Sequence, residues 1–466
     1  MNFNELFFLF IFLPLGLLLY YIAPKGIKNL LLVLISFLFY AWGSPVYLLI
    51  LLFSTLFNYF AGRQLGELKS RPGLARAVVT GAVLVNVLLL CFFKYYGGLT
   101  ELLNRQFSLS LAQVALPMPI GLSFYTFTAL SYIFDVYQAR TPAQRSPVRF
   151  ALYMSFFPKL ISGPIVRYED MEPQLESRPF SRALVCSGAN MFLVGLMKKV
   201  LLADNLGAAF AGIQALQTLS PGSAWLGALF YALQLYFDFS GYSDMALGLA
   251  RLFGFQFDIN FNYPYLSASI SEFWRRWHIS LGAWFREYVY IPLGGNRGSA
   301  GMQLRNLLVV WVLTGLWHGS SLNFLVWGLY HGFFVILERF ALGRALDRLP
   351  RFLRVVPTFI IVLIGWVFFF SDSLPAALSW LGTMFGGGGA AFWDSAASYF
   401  LRGNALLLAV SLVGCGRIPR RIHQSLCYRR DSLIPGLSVL AFCLGFLVCV
   451  AYMLASTYSS FLYFQF

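Results

Sequence analysis

The chain has 466 residues, 59% hydrophobic and 18% aromatic but only 11% charged, against about 25% charged residues in an average soluble protein. This excludes a soluble globular fold and predicts an all-α integral membrane protein. The net charge of +15 would suit nucleic acid, but the lysines and arginines fall in short loops between apolar runs, where they set membrane orientation, so no nucleic-acid partner is expected.

Apolar runs recur from end to end, among them Leu6 to Ala23, Leu30 to Trp42, Val46 to Ala61, Ala77 to Phe93, Pro357 to Phe370 and Leu433 to Tyr458. A crossing takes about 20 residues, so several are short or tilted, and roughly ten to twelve crossings are expected in one membrane domain covering 1–466. The first run follows Met1 to Glu5 with no basic leader and no small-residue cleavage site, and reads as a retained helix rather than a signal peptide. Lys25 and Lys28, Arg63 to Arg76, Arg140 to Arg149 and Arg417 to Arg430 are the basic loops. Read as inside, they put both termini outside and make the number of crossings even. Cys91, Cys186, Cys415, Cys427, Cys443 and Cys449 are scattered, with no metal-binding spacing, and read as small core residues; no metal site is expected.

In such a chain the ionisable residues at membrane depth carry the information, because each costs a few kcal/mol unless it is paired, hydrated or used. There are four histidines, His278, His318, His331 and His423. No charge occurs between Arg305 and Glu338. If helical, Arg305 to His318 covers roughly 20 Å, which sets the imidazole near the middle of a core about 30 Å thick. Gly319-Ser320-Ser321 can break the helix there, and broken backbone at that depth is tolerated only when buried in protein or lining a cavity. A packed structural histidine bonded to a carbonyl is the plainer alternative. His331 lies 13 residues on, roughly 220° around a continuous helix, so the two would face different ways, and no HExxH or i,i+4 pair suggests a metal. His331 reads as facing the bundle interior and His423 as solvated in a basic loop.

The stretch "SEFWRRWHISLGAWFREYVYIPLGGNRG", Ser271 to Gly298, follows a capping-box spacing of Ser269 and Glu272 that marks a helix start. At about 100° per residue, Phe273, Trp274, Trp277, Leu281, Trp284, Phe285 and Tyr288 share a stripe of roughly 120°, with Arg275, Arg276, Arg286 and Glu287 off it and His278 at its edge. This predicts a helix lying on or dipping into the membrane, an interfacial anchor at the least. Asp238 and Asp244 in "YFDFSGYSDMALGLA" need a partner, which a histidine, an arginine of the 275–286 stretch or a water-filled cavity would supply. Lys159 and the Lys198-Lys199 pair read by default as loop anchors.

Taken together, "YFDFSGYSDMALGLA", "FWRRWHISLGAWFREYVYIPLGGNR" and "GLWHGSSLNFLVWGLYHG" resemble the membrane-bound O-acyltransferase (MBOAT) family, and within it the bacterial alginate O-acetylation branch. The motif-bearing core is 115–340, and 350–466 is less distinctive. The resemblance implies a ring of helices around a thin central region pierced by a tunnel, with interfacial and re-entrant helices. It implies His318 of the WHG motif as the catalytic residue and His278 as the second active-site position, where many relatives carry asparagine or aspartate. Trp317, Asp238, Asp244, Arg275, Arg276, Trp274, Trp277 and Asn296 are the candidates to line the tunnel. The implied activity moves an acyl group, expected to be acetyl, to the hydroxyl of an extracytoplasmic polysaccharide such as alginate. The donor would be a cytoplasmic thioester, acetyl-CoA or an acyl-carrier protein, with no bound cofactor. An extracytoplasmic esterase-like partner and a place in the bacterial cytoplasmic membrane are implied with it. The base and oxyanion donor that such a transfer needs are supplied by residue types present here, and no GxSxG elbow or cysteine-histidine signature points to a covalent intermediate. A transporter or lipid-linked saccharide flippase is the alternative, against which stands the lack of a two-halves repeat.

Overall fold

The computed structural model describes residues 1–43, 45–110, 117–387, 389, 391–419, 421–422 and 433–455, and among these every regular element is helical. His423, Cys427 and most of the Arg417 to Arg430 loop lie outside the described residues. The chain divides into two units interleaved in sequence, Met1–Phe192 with Ser243–Asp258, and Leu193–Tyr242 with Ile259–Phe466.

Among the described residues, six helices are long and apolar enough to cross a membrane: Lys25–Gly43, Pro45–Glu67, Pro72–Phe107, Arg182–Gln214, Leu322–Leu342 and Arg351–Phe370. The pair Ser395–Gly403 and Ala405–Gly414, bent by 61°, makes a seventh if it counts as one span. That is fewer than the apolar runs suggested, and burial explains part of the difference. In Leu122–Tyr137, 14 of 16 residues are buried, and Pro221–Leu252 buries Gln234, Asp238 and Ser240. A helix covered by protein need not present an apolar surface all round, so it carries polar groups that satisfy one another and scores lower in hydropathy.

In the first unit, Asn58 of Pro45–Glu67 and Asn86 of Pro72–Phe107 exchange amide hydrogen bonds of 3.1 and 2.8 Å. Lys159 is no loop anchor. It is buried, its ammonium 4.7 Å over the Tyr153 ring, and burial pushes it down to about 7.

In the second unit, Ala300–His318 and Leu322–Leu337 pack as neighbours. They approach closely because Gly328 has no side chain: a Cβ there would stand 2.5 Å from the Trp311 carbonyl oxygen, a contact only glycine allows. Arg351–Phe370 closes on the same helix at Gly365, where a Cβ would meet His331 Nε2 at 2.6 Å.

The amphipathic stretch is not one helix. Ser269 caps its start, accepting from the Glu272 N–H at 3.0 Å, while Glu272 accepts from the Ala268 N–H at 2.8 Å. Ile270–Trp274 then ends, and Ile279–Phe285 begins after a turn through Arg275 to His278. Tertiary bonds replace the helical ones at the break: Asn262 N–H donates to Arg276 O at 2.9 Å and Ile279 N–H to Asn260 O at 3.0 Å. The aromatic stripe survives the break but faces protein. Trp274 meets Trp311 and Trp327 at 5.1 and 5.5 Å, and Trp277 meets Trp366 and Phe261 at 4.9 and 5.1 Å.

Candidate active site

His318 is the last residue of Ala300–His318, and Gly319 continues in extended backbone, so the break falls where Gly319-Ser320-Ser321 placed it. The imidazole is 5% exposed and lies edge-on to Trp317, Trp327 and Phe369, at 4.6, 4.7 and 5.1 Å between ring centres.

His278 stands at the turn between the two short helices with φ 45° and ψ 56°, a left-handed conformation that costs a non-glycine residue about 1–3 kcal/mol and persists only where its surroundings enforce it. Asn260, itself buried, enforces it. Its Oδ1 accepts from the Ser280 N–H at 3.1 Å and the Ser280 hydroxyl at 3.0 Å, and lies 3.3 Å from His278 Nδ1. Because a backbone N–H donates to that atom, it is the carbonyl oxygen of the amide. Nδ1 therefore carries the proton and Nε2 is the basic nitrogen. Burial pushes the His278 imidazole down to about 3, so it is neutral at physiological pH.

Trp317 joins the two histidines, its ring 6.5 Å from that of His278 and 4.6 Å from that of His318. His331 is drawn to the same cluster. On a continuous helix it would face away from His318, but the chain turns back at 319–321 and both rings meet Trp327, His331 at 5.2 Å. It is fully buried, boxed also by Trp274 at 5.0 Å and Trp311 at 6.0 Å, and neither of its nitrogens bonds a described protein group.

Beside His278 opens a cavity of about 550 Å³, with Trp274, Trp311 and Phe285 in its walls and Arg275, Arg286 and Arg339 on it. Arg339 is fixed by Tyr290, Asn296 and Gln303 at 3.1, 2.8 and 2.7 Å. Arg275 and Arg286 are exposed. Of the residues expected to line a tunnel, Trp274, Arg275 and Asn296 line this cavity with His278, and Trp317 stands between the histidines. Trp277 and Arg276 are used elsewhere, Trp277 in the aromatic core and Arg276 on Glu272 at 2.8 Å and the Asn262 carbonyl at 3.0 Å. Burial pushes the Glu272 carboxyl up, but bonds from Arg351, the Ala268 N–H and Arg276 outweigh this and hold it below the usual range.

Asp238 has a buried lysine for its ion-pair partner: Lys199, at 2.6 Å, which also holds Asp204 at 2.8 Å. Lys199 is thus a buried counter-ion rather than a loop anchor, because Arg182–Gln214 runs unbroken through it. Asp244, half-buried, belongs to the first unit, whereas the other candidates lie in the second. Sequence reasoning passed over Asn260, which only its tertiary bonds reveal, and Glu338. The Glu338 carboxylate accepts from the Ile270 and Ser271 N–H groups at 2.5 and 2.9 Å and so anchors the start of the broken stretch.

A neutral imidazole at the turn between two short helices, beside a cavity with cationic walls, and a second imidazole buried where Ala300–His318 ends, suit proton transfer during group transfer within a polytopic membrane enzyme. The chain belongs to the MBOAT, membrane-bound O-acyltransferase family, whose model matches residues 139–371, and it is an O-acyltransferase. It is 44% identical over 390 residues to the "probable alginate O-acetylase AlgI" of Pseudomonas aeruginosa, covering 83% of this chain and 75% of that one. It is 40% identical to the Azotobacter vinelandii protein of the same name over the whole of both chains. The peptidoglycan O-acetyltransferase of Helicobacter pylori is 37% identical, with 82% of this chain and 80% of that one covered.

Proposed function

We propose that this enzyme transfers acetyl groups from a cytoplasmic thioester to hydroxyls of an extracytoplasmic polysaccharide, alginate or a related glycan, in the bacterial cytoplasmic membrane. Similarity along both whole chains to the Azotobacter vinelandii "probable alginate O-acetylase AlgI" carries this reading. In the step, His318 takes the proton as the acceptor oxygen attacks the thioester carbonyl; the C–S bond breaks, and the imidazolium returns the proton to the departing thiolate. His278, held by Asn260 with Nδ1 protonated, orients the reacting groups.

The donor is acetyl-CoA or an acyl-carrier thioester, both of which present a phosphate on the pantetheine arm. Arg275 and Arg286 on the His278 cavity suit that anion. An esterase-like extracytoplasmic partner carries the acetyl group onward to long polymer.

The test is a deletion strain. Ester-linked acetate should vanish from a polymer made in normal amount, and acetate should return with the wild-type gene but only weakly with Arg275→Gln/Arg286→Gln. Loss of polymer itself would favour a flippase. Full acetylation of long polymer by the purified enzyme alone would remove the partner.

A further inference from the structure

The first unit contains a cavity of about 430 Å³ that shares no lining residue with the one beside His278. It forms where helix ends meet: the end of Leu13–Ile22, the short turn Lys25–Ile27, the segment after Tyr168–Glu176, the start of Arg182–Met197 and the last turn of Pro221–Leu252 with Gly254. Lys25, Lys28, Arg178 and Arg251 line it, with Glu176 as the one carboxylate. That carboxylate is already taken by Arg149, which does not line the cavity, at 2.7 Å. The site therefore carries four cations with no carboxylate of its own to balance them.

The four differ in what they have left to offer. Arg178 is built in, donating to Tyr20 Oη, the Gln174 carbonyl and Asn29 Oδ1 at 3.4, 2.6 and 2.7 Å, with its guanidinium 4.3 Å over the Phe255 ring. Arg251 donates to the Ser187 hydroxyl at 2.7 Å. These two supply a fixed positive field. The ammonium of Lys28 lies 4.6 Å over the Tyr20 ring and 5.8 Å from that of Tyr21. Ring faces hold it without consuming its N–H donors. Lys25 is exposed beside it. Neither lysine has an acidic partner or a hydrogen bond among the described residues, so two ammonium groups converge on one preformed basic cavity. An oxyanion is what this arrangement binds.

The rim says which oxyanion. Ile22, Ile27, Leu30 and Phe180, on the segments that form the cavity, are exposed large apolar side chains. A soluble phosphate has no use for them, whereas acyl chains do. The loop that carries Lys25 and Lys28 opens the crossing helix Lys25–Gly43, which puts the cations at headgroup level, on the side its basic charge marks as cytoplasmic, where anionic lipid is bound. We propose that the Lys25–Lys28–Arg178–Arg251 cavity binds the phosphate of an anionic phospholipid, with the lipid's chains lying on Ile22, Ile27 and Phe180.

The experiment uses the full-length protein, stripped of lipid in a neutral detergent, with bound lipid counted by native mass spectrometry and the thermal midpoint followed in parallel. Phosphatidylglycerol should bind and raise the midpoint, while phosphatidylcholine and inorganic phosphate at equal phosphate concentration should not. Each lysine lost should weaken phosphatidylglycerol about fivefold. Lys25→Gln/Lys28→Gln therefore reads as a loss of about 25-fold, and Lys69→Gln, an exposed loop lysine outside the cavity, as no change. Lys25→Gln alone removes an exposed, unbonded group and keeps the test intact should the double variant express poorly. Equal binding of phosphatidylcholine, displacement of the lipid by inorganic phosphate or by a purified acyl-carrier protein, or wild-type affinity in the lysine variants would each overturn the proposal.

Discussion

His318→Ala would remove the proposed base and a packing wedge at the same time, and the two losses have to be separated. The imidazole fills the space between Trp317, Trp327 and Phe369, all within 5.1 Å of its centre, and truncating a buried aromatic to alanine costs about 3–5 kcal/mol. Imidazole is smaller than phenyl, so about 3 kcal/mol is the expected loss of stability, enough to lower membrane levels on its own. His318→Gln keeps most of the volume and a hydrogen-bonding amide but has no basic nitrogen, and its packing cost should fall to about 1 kcal/mol. A general base is worth about 10²- to 10⁴-fold, or roughly 3–5 kcal/mol of barrier. Both variants should therefore lose at least about 100-fold in acetylation, while only the alanine variant loses protein. The measurement is alkali-released acetate from purified polymer, normalised to each variant's level by immunoblot. Normal ester content with His318→Gln would refute the assignment of the base.

His278→Asn should keep the fold, because asparagine tolerates the left-handed turn, yet lose most activity; His278→Val should also lower the thermal midpoint, by the strain of about 1–3 kcal/mol that a β-branched residue meets there, and equal midpoints would show that the turn relaxes. Lys199→Met should collapse the yield of monodisperse protein on size exclusion, since removing one member of a buried pair costs about 3–5 kcal/mol, and adding Asp204→Asn with Asp238→Asn should restore much of it; an unaffected single variant would mean the cluster is hydrated. Ser70→Cys, in the exposed loop between Pro45–Glu67 and Pro72–Phe107, should resist a membrane-impermeant maleimide on intact cells, in a background lacking the exposed Cys186 and Cys443. Strong labelling would reverse the proposed orientation.

The sequence made His318 legible because a lone imidazole between distant charges is conspicuous in an apolar run, and Gly319-Ser320-Ser321 marked its helix end. The resemblance of one stretch to the family nominated Arg275, Asn296 and Trp274, and the structure puts all three on one cavity. What the sequence hid was produced by contacts distant in the chain. Periodicity carried the aromatic stripe straight through His278, because a helical wheel does not register that Asn260 and Asn262 capture the backbone there. Likewise two adjacent lysines look like a loop signal until Asp204 and Asp238 are seen to close on one of them. The wheel also set His331 opposite His318, since the angle between residues on one helix says nothing once the chain folds back.

The cluster around Lys199 also has a schedule. Lys199 and Asp238 lie 39 residues apart, so at a synthesis rate of about 5–20 residues per second the lysine leaves the ribosome roughly 2–8 s before its buried counter-ion. Asp204, only five positions on and bonded to the same ammonium, emerges within about a second. It is therefore in place to pair with the Lys199 ammonium while Pro221–Leu252 is still being made. Once Asp238 docks, Asp204 becomes the more exposed member of the cluster. Its loss should thus delay membrane integration of the nascent chain more than it disturbs the finished enzyme.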